Sequence, residues 1–463
     1  MMSQSVQGPE EGRGRAGQTG SQVHDIIGIG IGPFNLGLAC LTQPIRDLDC
    51  LFLERKDQFN WHEGTLLETA TLQTPFLCDL VTLADPTSEY SFLNYLKQTG
   101  RIYAFYAFLL DTENFFLLRN EFNKYYRWAA SRLDNVVFNR EVEKVEYDEA
   151  AGIYKVTCLN TKMGQRKTLL AKHIVLGSGM SPNVPAACEA VRDKVMHSAD
   201  YMRHRDEIRQ KKSITVVGSG QSAAEVYHDL LSDIDRHGYT LNWITRSSRL
   251  VPRELTKLTL QMTTPDYADY FFSLSRPKRE DLVRAMQAIF QGINPSLIND
   301  IYDLRYRKQL YGDVDMTLMS NTEIEACAHD PASGLFQLTF RQMEEERSFQ
   351  METEALVLGT GYRFKVPDYL APVSERINWC GEGRFAVARN GSIDHEGRGI
   401  FVQNAEIHAD SYLPPDLGQA CYRNSVIIRD VLGKEYYPVE RRVAFQRFSA
   451  PAAPAGEAAS AGG

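Results

Sequence analysis

The chain has 463 residues, 43% of them hydrophobic and 24% charged, which suits a globular protein of two α/β domains plus a smaller unit and excludes disorder or fibre. A net charge of −8 with both signs interspersed speaks against a nucleic-acid partner and mildly favours small cationic molecules. The eight cysteines are scattered with no CxxC pair, so neither a zinc site nor dithiol chemistry is nominated and a reducing cytoplasm fits.

Residues 1–22 are rich in Gly, Gln, Ser and Glu and lack an apolar core, so they are expected to be a disordered leader rather than a signal peptide. The apolar run Val23–Ile27 predicts a buried strand. It passes into Gly28-Ile29-Gly30-Ile31-Gly32-Pro33 and then a helical run from Phe34 to Leu41. A strand, a glycine turn and a helix let the backbone approach a pyrophosphate, whose charge sits at the helix N-terminus. Pro33 stands where a third glycine is usual. The next strand, Cys50–Leu53, ends in Glu54, where a dinucleotide fold places the acid that holds a ribose. Gly28, Gly30, Gly32, Pro33 and Glu54 are thus the candidate site for a first nucleotide, FAD.

The same pattern returns at Ile214–Val217, followed by Gly218-Ser219-Gly220-Gln221-Ser222-Ala223 and a helix to Leu231. Ala223 replaces the third glycine and is small enough for close helix packing. After the strand Leu241–Ile244 comes Arg246, whose guanidinium can pair with the 2′-phosphate that separates NADPH from NADH. Two further strand-plus-glycine segments, Ile174–Gly179 and Leu356–Tyr362, are expected to close each domain near its nucleotide. Residues 275–312, with helical spacing punctuated by Pro277 and Pro295, predict a small helical substrate-associated insertion.

The expected architecture is α/β: two Rossmann-like dinucleotide-binding domains with that insertion. The FAD domain is expected to be discontinuous over 23–200 and 355–440, with the NADPH domain at 201–354 and a disordered tail at 450–463. No apolar run approaches the roughly 20 residues that span a bilayer, so no membrane partner is expected.

Two nucleotide loops allow hydride to pass from NADPH to flavin and on to a disulfide, to oxygen or to an external acceptor. The absent CxxC disfavours the disulfide. The F-x-G-x-x-x-H-x-x-x-W signature of Baeyer-Villiger enzymes is also missing: aligned on His197, its other positions hold Val191, Asp193 and Tyr201.

Three stretches are more specific: Phe59-Asn60-Trp61-His62-Glu63-Gly64; Leu72-Gln73-Thr74-Pro75-Phe76-Leu77-Cys78-Asp79-Leu80-Val81; and Asp85-Pro86-Thr87-Ser88 with Tyr90–Leu96. Together with Gln221-Ser222-Ala223 and Gly359-Thr360-Gly361-Tyr362, they resemble the N-hydroxylating flavin monooxygenases of siderophore biosynthesis, which act on lysine, ornithine or diamines. The resemblance runs from about Asp25 to about Ile428. It implies that NADPH reduces FAD, that oxygen adds to the flavin as a hydroperoxide, and that a substrate amine attacks the distal oxygen while NADP⁺ stays bound. It further implies that Trp61, His62 and Gln73 line the flavin, that Ser222 and Arg246 hold NADPH, with Gln221 and Gly361 in the same cofactor segments, and that the protein is a homo-oligomer, possibly a tetramer.

Only a neutral amine is nucleophilic, and an alkyl amine of pKa near 10.4 is unprotonated about once in a thousand at neutral pH. The pocket must desolvate the reacting end. No catalytic base is nominated; the flavin carries the chemistry.

The amino-acid hydroxylases of this family carry a lysine in F-L-K-D-L, where its ammonium meets the substrate carboxylate. Here the segment is Phe76-Leu77-Cys78-Asp79-Leu80. Losing that cation makes sense if the substrate has no carboxylate, since a buried unpaired lysine would cost several kcal/mol. An asparagine of the ornithine enzymes is replaced around Leu260, and the serine of a late D-x-L-L-S pattern corresponds to Gly418, whereas Asn294 is retained to contact substrate or NADPH. The expected substrate is therefore putrescine or cadaverine. Candidate partners for its distal ammonium are Asp266, Tyr267, Asp269, Tyr270, His408, Asp410 and Asp416. The alternatives are a lysine or ornithine N-monooxygenase that binds its carboxylate by other means, and a non-catalytic flavin-binding sensor.

Overall fold

A computed structural model describes residues 22–110, 115–286, 288–381, 383–405, 407–410 and 415–451. Most of the expected leader and tail lies outside the described residues.

Two parallel sheets organise the chain, each built around one glycine turn. In the first, the strand Val23–Ile29 pairs in parallel with Cys50–Leu53 on one side and with Arg166–Leu176 on the other. Val136–Val137 extends the layer beyond Cys50–Leu53, and Ile400–Val402 extends it beyond the last part of Arg166–Leu176. The earlier part of Arg166–Leu176 instead forms an antiparallel meander with Ile153–Asn160 and Arg140–Asp148. Every second residue of Ile153–Asn160 is buried, as a strand with one face on a core requires.

The second sheet centres on Ser213–Val217. Thr240–Ile244 and Met316–Met319 lie to one side, Ala355–Leu358 and Met196–His197 to the other, and all pairings are parallel. Its three inner strands are almost wholly buried, as parallel strands covered on both faces are. The helix Gln221–Ser232 buries Ala223, Ala224, Val226, Tyr227, Leu230 and Leu231, and its Tyr227 ring lies 4.9 Å from that of Trp243 on the sheet. Met196–His197 and Ala355–Leu358 also hydrogen-bond into the second sheet, at its edge and beside its central strand.

Helices Arg276–Ala285, Ala288–Gln291 and Pro295–Tyr311 occupy the predicted insertion. They follow a helix not foreseen, Pro265–Ser273, which Thr264 caps through the Tyr267 N–H and Pro265 opens at its first position. An antiparallel sheet of Thr322–Asp330, Leu335–Gln342 and Arg347–Thr353 then leads back to Ala355–Leu358. The chain crosses between the two units twice, and there Ser181–Pro182 pairs with Tyr362–Arg363. Among the described residues no helix is long and apolar enough to cross a membrane.

Candidate functional site

In both sheets the strand order reverses at the central strand, and the crevice beyond that reversal is where open parallel sheets bind ligands. The backbone there comes very close to itself. Gly30 has φ +82°, and a Cβ on it would stand 2.7 Å from the Gly177 carbonyl oxygen. Gly218 has φ +149°, and a Cβ on it would stand 2.2 Å from the Gly359 carbonyl oxygen. Only glycine meets both demands at each turn. The segments Ile174–Gly179 and Leu356–Tyr362 thus lie against the two turns.

Gly28 lies at the end of its strand, and Gly32 is the N-cap of the helix Pro33–Thr42, with Pro33 in the first turn. Gly220 is the N-cap of Gln221–Ser232. Neither helix start is capped by a side chain, which leaves its first N–H groups for a ligand such as a pyrophosphate. Glu54 reaches back to the first turn, where its Oε2 accepts the Ile31 N–H at 2.8 Å. In the second domain, a Cβ on Gly359 would come within 2.6 Å of the Ala223 methyl, so the helix already packs as close as alanine allows. Ser222 is half-buried in the first helical turn, and Arg246 is exposed past its strand, its nearest acid Glu323 at 3.9 Å.

Between the two crevices lies a set of polar contacts that ties the domains together. Arg119 and Glu225 form a buried bidentate ion pair, with both N–O distances 2.8 Å. Arg119 also donates to the Thr65 carbonyl at 2.7 Å. Gln221 donates to Glu225 at 2.9 Å and accepts the Asn294 N–H at 2.8 Å. Asn294 caps the helix Pro295–Tyr311, its Oδ1 taking the Ser296 N–H at 3.0 Å. On the other side of the pair, His62 has φ +55°, and its ring lies 4.1 Å from that of Trp61. Burial, helped by the charge on Arg119, pulls its pKa down to about 3 and keeps the imidazole neutral.

A second bridge runs from Arg253 to Gln73. Arg253 Nη1 donates to Gln73 Oε1 at 2.8 Å, and its Nε donates to the Ile289 carbonyl at 3.2 Å. Gln73 Nε2 is buried and has no hydrogen-bond partner among the described residues. A buried amide donor without an acceptor is costly in a finished core, and it fits a heteroaromatic ligand that presents one.

Arg253 faces a pocket of different character. Asp416 stands near it, accepting the Gly418 N–H at 2.9 Å. Burial pushes the Asp416 carboxyl pKa up, countered by Gly418, by the Thr263 hydroxyl and by the Arg253 charge. A Cβ on Gly418 would lie 3.1 Å from Cys78 Sγ and 3.3 Å from Asp416 Oδ1, so these three residues are neighbours. Burial, with the charges of Asp416 and Asp79, pushes the Cys78 thiol up to about 12 and keeps it protonated. Leu260 reaches this region through Thr263, whose hydroxyl donates to the Leu260 carbonyl at 2.9 Å.

Other candidate ammonium partners are engaged elsewhere. Asp266 accepts the Val443 and Ala444 N–H groups, and Tyr267 and Tyr270 pack against Phe448. Asp269 pairs with Arg389 at 2.6 Å, and His408 bonds the Phe385 carbonyl at 2.8 Å. The Asp410 side chain lies outside what is described. Asp416 is the candidate that adjoins Cys78 and Gly418.

The chain matches the family model for L-lysine 6-monooxygenase/L-ornithine 5-monooxygenase over residues 22–364. It belongs to that family. It is 47% identical over 427 residues to a putrescine N-hydroxylase of Shewanella oneidensis, covering 92% of this chain and 84% of the relative. The crystal structure of DfoA bound to FAD, the desferrioxamine-pathway cadaverine monooxygenase of Erwinia amylovora, superposes with a TM-score of 0.90 at 49% identity, covering 93% of this chain and 100% of that one. The ornithine N-hydroxylase KtzI of Kutzneria sp. 744 with reduced FAD, NADP⁺ and L-ornithine gives 0.82 at 26% identity, covering 89% and 99%.

Within this N-monooxygenase, Arg119, Glu225, Arg253 and Thr263 escaped the sequence reading. Arg119 and Arg253 look like solvated charges in a linear chain. The only local hint is that Arg119 opens an amphipathic helix, Arg119–Ala130, rich in buried aromatics.

Proposed function

We propose that this enzyme N-hydroxylates a short aliphatic diamine, putrescine or cadaverine, using FAD, NADPH and oxygen, in siderophore biosynthesis. The observation that carries the substrate is Asp416, a carboxylate set beside Cys78 and Gly418, where the amino-acid enzymes keep a lysine and a serine. The balance is one amine, oxygen, NADPH and a proton converted to hydroxylamine, water and NADP⁺. The putrescine and cadaverine relatives support this substrate class. Their being named as enzymes weighs against a non-catalytic sensor.

FAD, when bound, supplies oxygen activation, and NADPH supplies the electrons. The residues around the first crevice fit FAD: the turn at Gly28, Gly30, Gly32 and Pro33, the acid Glu54, and Gln73 with its unpaired buried donor. The Trp61 ring and the neutral His62 ring, 4.1 Å apart, are the aromatic pair we assign to the flavin. Gly218, Gly220, Gln221, Ser222 and Gly361 suit the second nucleotide, and Arg246 its 2′-phosphate.

Asp416 would accept the distal ammonium; burial pushes its pKa up, and the Gly418 N–H, the Thr263 hydroxyl and the Arg253 charge oppose that rise. Arg253 is itself held by Gln73 and the Ile289 carbonyl, which leaves it poorly placed to take over a substrate carboxylate. The Cys78 thiol, kept protonated beside Asp416, adds no charge to compete with the distal ammonium for that carboxylate. Asn294 projects from a helix start fixed to Gln221, which places it to touch substrate or NADPH.

A cytoplasmic setting suits a reaction that consumes NADPH. Self-association has an apolar face to use in the helix Ile102–Leu109, where Tyr103 is 83% and Tyr106 64% exposed.

The test is a substrate panel of putrescine, cadaverine, lysine and ornithine with detection of the hydroxylamine product. A higher kcat/KM for either diamine than for both amino acids is expected. Preference for lysine or ornithine would overturn the assignment.

A further inference from the structure

Residues 438–451 form neither helix nor strand, yet they are tied to the Leu258–Tyr270 stretch. The Val443 and Ala444 N–H groups donate to Asp266 Oδ2 at 2.9 and 3.2 Å. The Gln446 N–H donates to Gln261 Oε1 at 3.0 Å, and its side chain donates to the Leu258 carbonyl at 2.7 Å. The Phe448 ring meets Tyr267 edge-on at 4.9 Å and lies over Tyr270 at 6.2 Å. Phe445, between these contacts, is 93% exposed and takes no part in the grip.

The gripped stretch holds Thr263, whose hydroxyl donates to the Leu260 carbonyl at 2.9 Å and whose oxygen lies beside the Asp416 carboxylate. Its core is the 3-10 helix Thr259–Thr263, a tight and poorly hydrogen-bonded form that needs outside contacts to hold still. Five of the contacts above land on Leu258, Gln261, Asp266 and Tyr267, on both sides of Thr263. We propose that Val443–Phe448 is a positioning strap for the ammonium subsite: by clamping Leu258–Tyr270 it sets Thr263 against Asp416 and so tunes diamine binding. This rests on Asp416 being the ammonium acceptor. The strap touches neither glycine turn, so it acts on substrate binding and leaves the exchange between NADPH and flavin alone.

The test compares the full chain with a chain ending at Arg442 and a control ending at Ser449, each as the FAD-loaded enzyme. Removing the strap is expected to raise KM for putrescine by about fivefold or more, while the rate of flavin reduction by NADPH stays within about twofold. Hydrogen exchange of residues 258–264 is expected to quicken, and its slowing by added putrescine to weaken, in the chain ending at Arg442 only. If that chain fails to fold, Phe448→Ala and Asp266→Ala carry the same expectation. An unchanged KM with the strap removed, or an equal loss of flavin reduction, overturns the proposal. Asp416→Asn separates the two ideas. If it raises KM and strap removal does not, the strap idea alone fails; if it leaves KM unchanged, the subsite and the strap's role in it fail together.

Discussion

Arg119 from the first domain and Glu225 from the second meet in a bidentate ion pair that solvent barely reaches, their side chains 8% and 5% exposed. Because Gln221, at the start of the second nucleotide helix, bonds the same carboxylate, the pair sets where that helix stands relative to Trp61 and His62. Breaking one partner strands a buried charge, and Arg119→Ala is expected to cost about 3–5 kcal/mol of stability. Arg119→Met with Glu225→Leu removes both charges and is expected to restore most of that loss in a denaturant melt. The double variant should still reduce flavin more slowly, because the register between domains is no longer specified. Equal destabilisation by the single and double changes would show that the pair does not act as argued.

Asp416→Asn trades affinity for stability. Losing a charge-assisted contact of about 1.5–3 kcal/mol should raise KM for putrescine roughly 10- to 100-fold. The same change should raise the Tm at neutral pH. Burial raises the folded-state pKa of Asp416, so the folded chain holds its proton more tightly than the unfolded one, and stability falls as pH rises through that raised value. Steady-state kinetics and thermal melts read the two effects separately. A fall in both KM and Tm would contradict the assignment.

Arg246→Ala should raise KM for NADPH by about tenfold or more and leave KM for NADH nearly unchanged, since only NADPH carries the phosphate. The residue is exposed and only loosely associated with Glu323, so its removal should leave the Tm where it was. An equal effect on both coenzymes would move the phosphate site elsewhere.

His62 supplies a pH signature. It takes a proton near 6.5 when unfolded but only near 3 when folded, so it withdraws stability as pH falls through that interval. Between about pH 7 and about pH 5, where most carboxylates stay ionised, the wild type should lose more Tm than His62→Gln does. Parallel curves for the two proteins would mean that the imidazole is protonated in the folded state.

What the sequence disclosed was local, and what it concealed was long-range. The two glycine turns and the reach of Glu54 back to the first of them were legible because a strand, a turn and a helix lie within a short stretch of chain. Gln73 and Arg253 lie 180 residues apart, and Arg119 and Glu225 lie 106 apart, so no spacing rule joins them. Asp266, Tyr267 and Tyr270 looked like amine ligands because acids and aromatics are what an ammonium prefers. The strap that occupies them arrives from 177 residues away. The pairing of Met196–His197 with Ala355–Leu358 was hidden for a related reason: a strand's partners are not written in its own residues.

Asp79 explains how position 78 came to be so telling. Its buried carboxylate accepts the Val81, Thr82 and Phe92 N–H groups and the Thr82 hydroxyl, all between 2.7 and 3.0 Å. The backbone on either side is thereby fixed by the Asp79 side chain. A change of side chain at position 78 leaves those four hydrogen bonds in place, so lysine and cysteine can be exchanged there in one step. Cys78→Lys is such a step in reverse: the new ammonium would pair with Asp416, displace the diamine, and raise its KM by about tenfold or more.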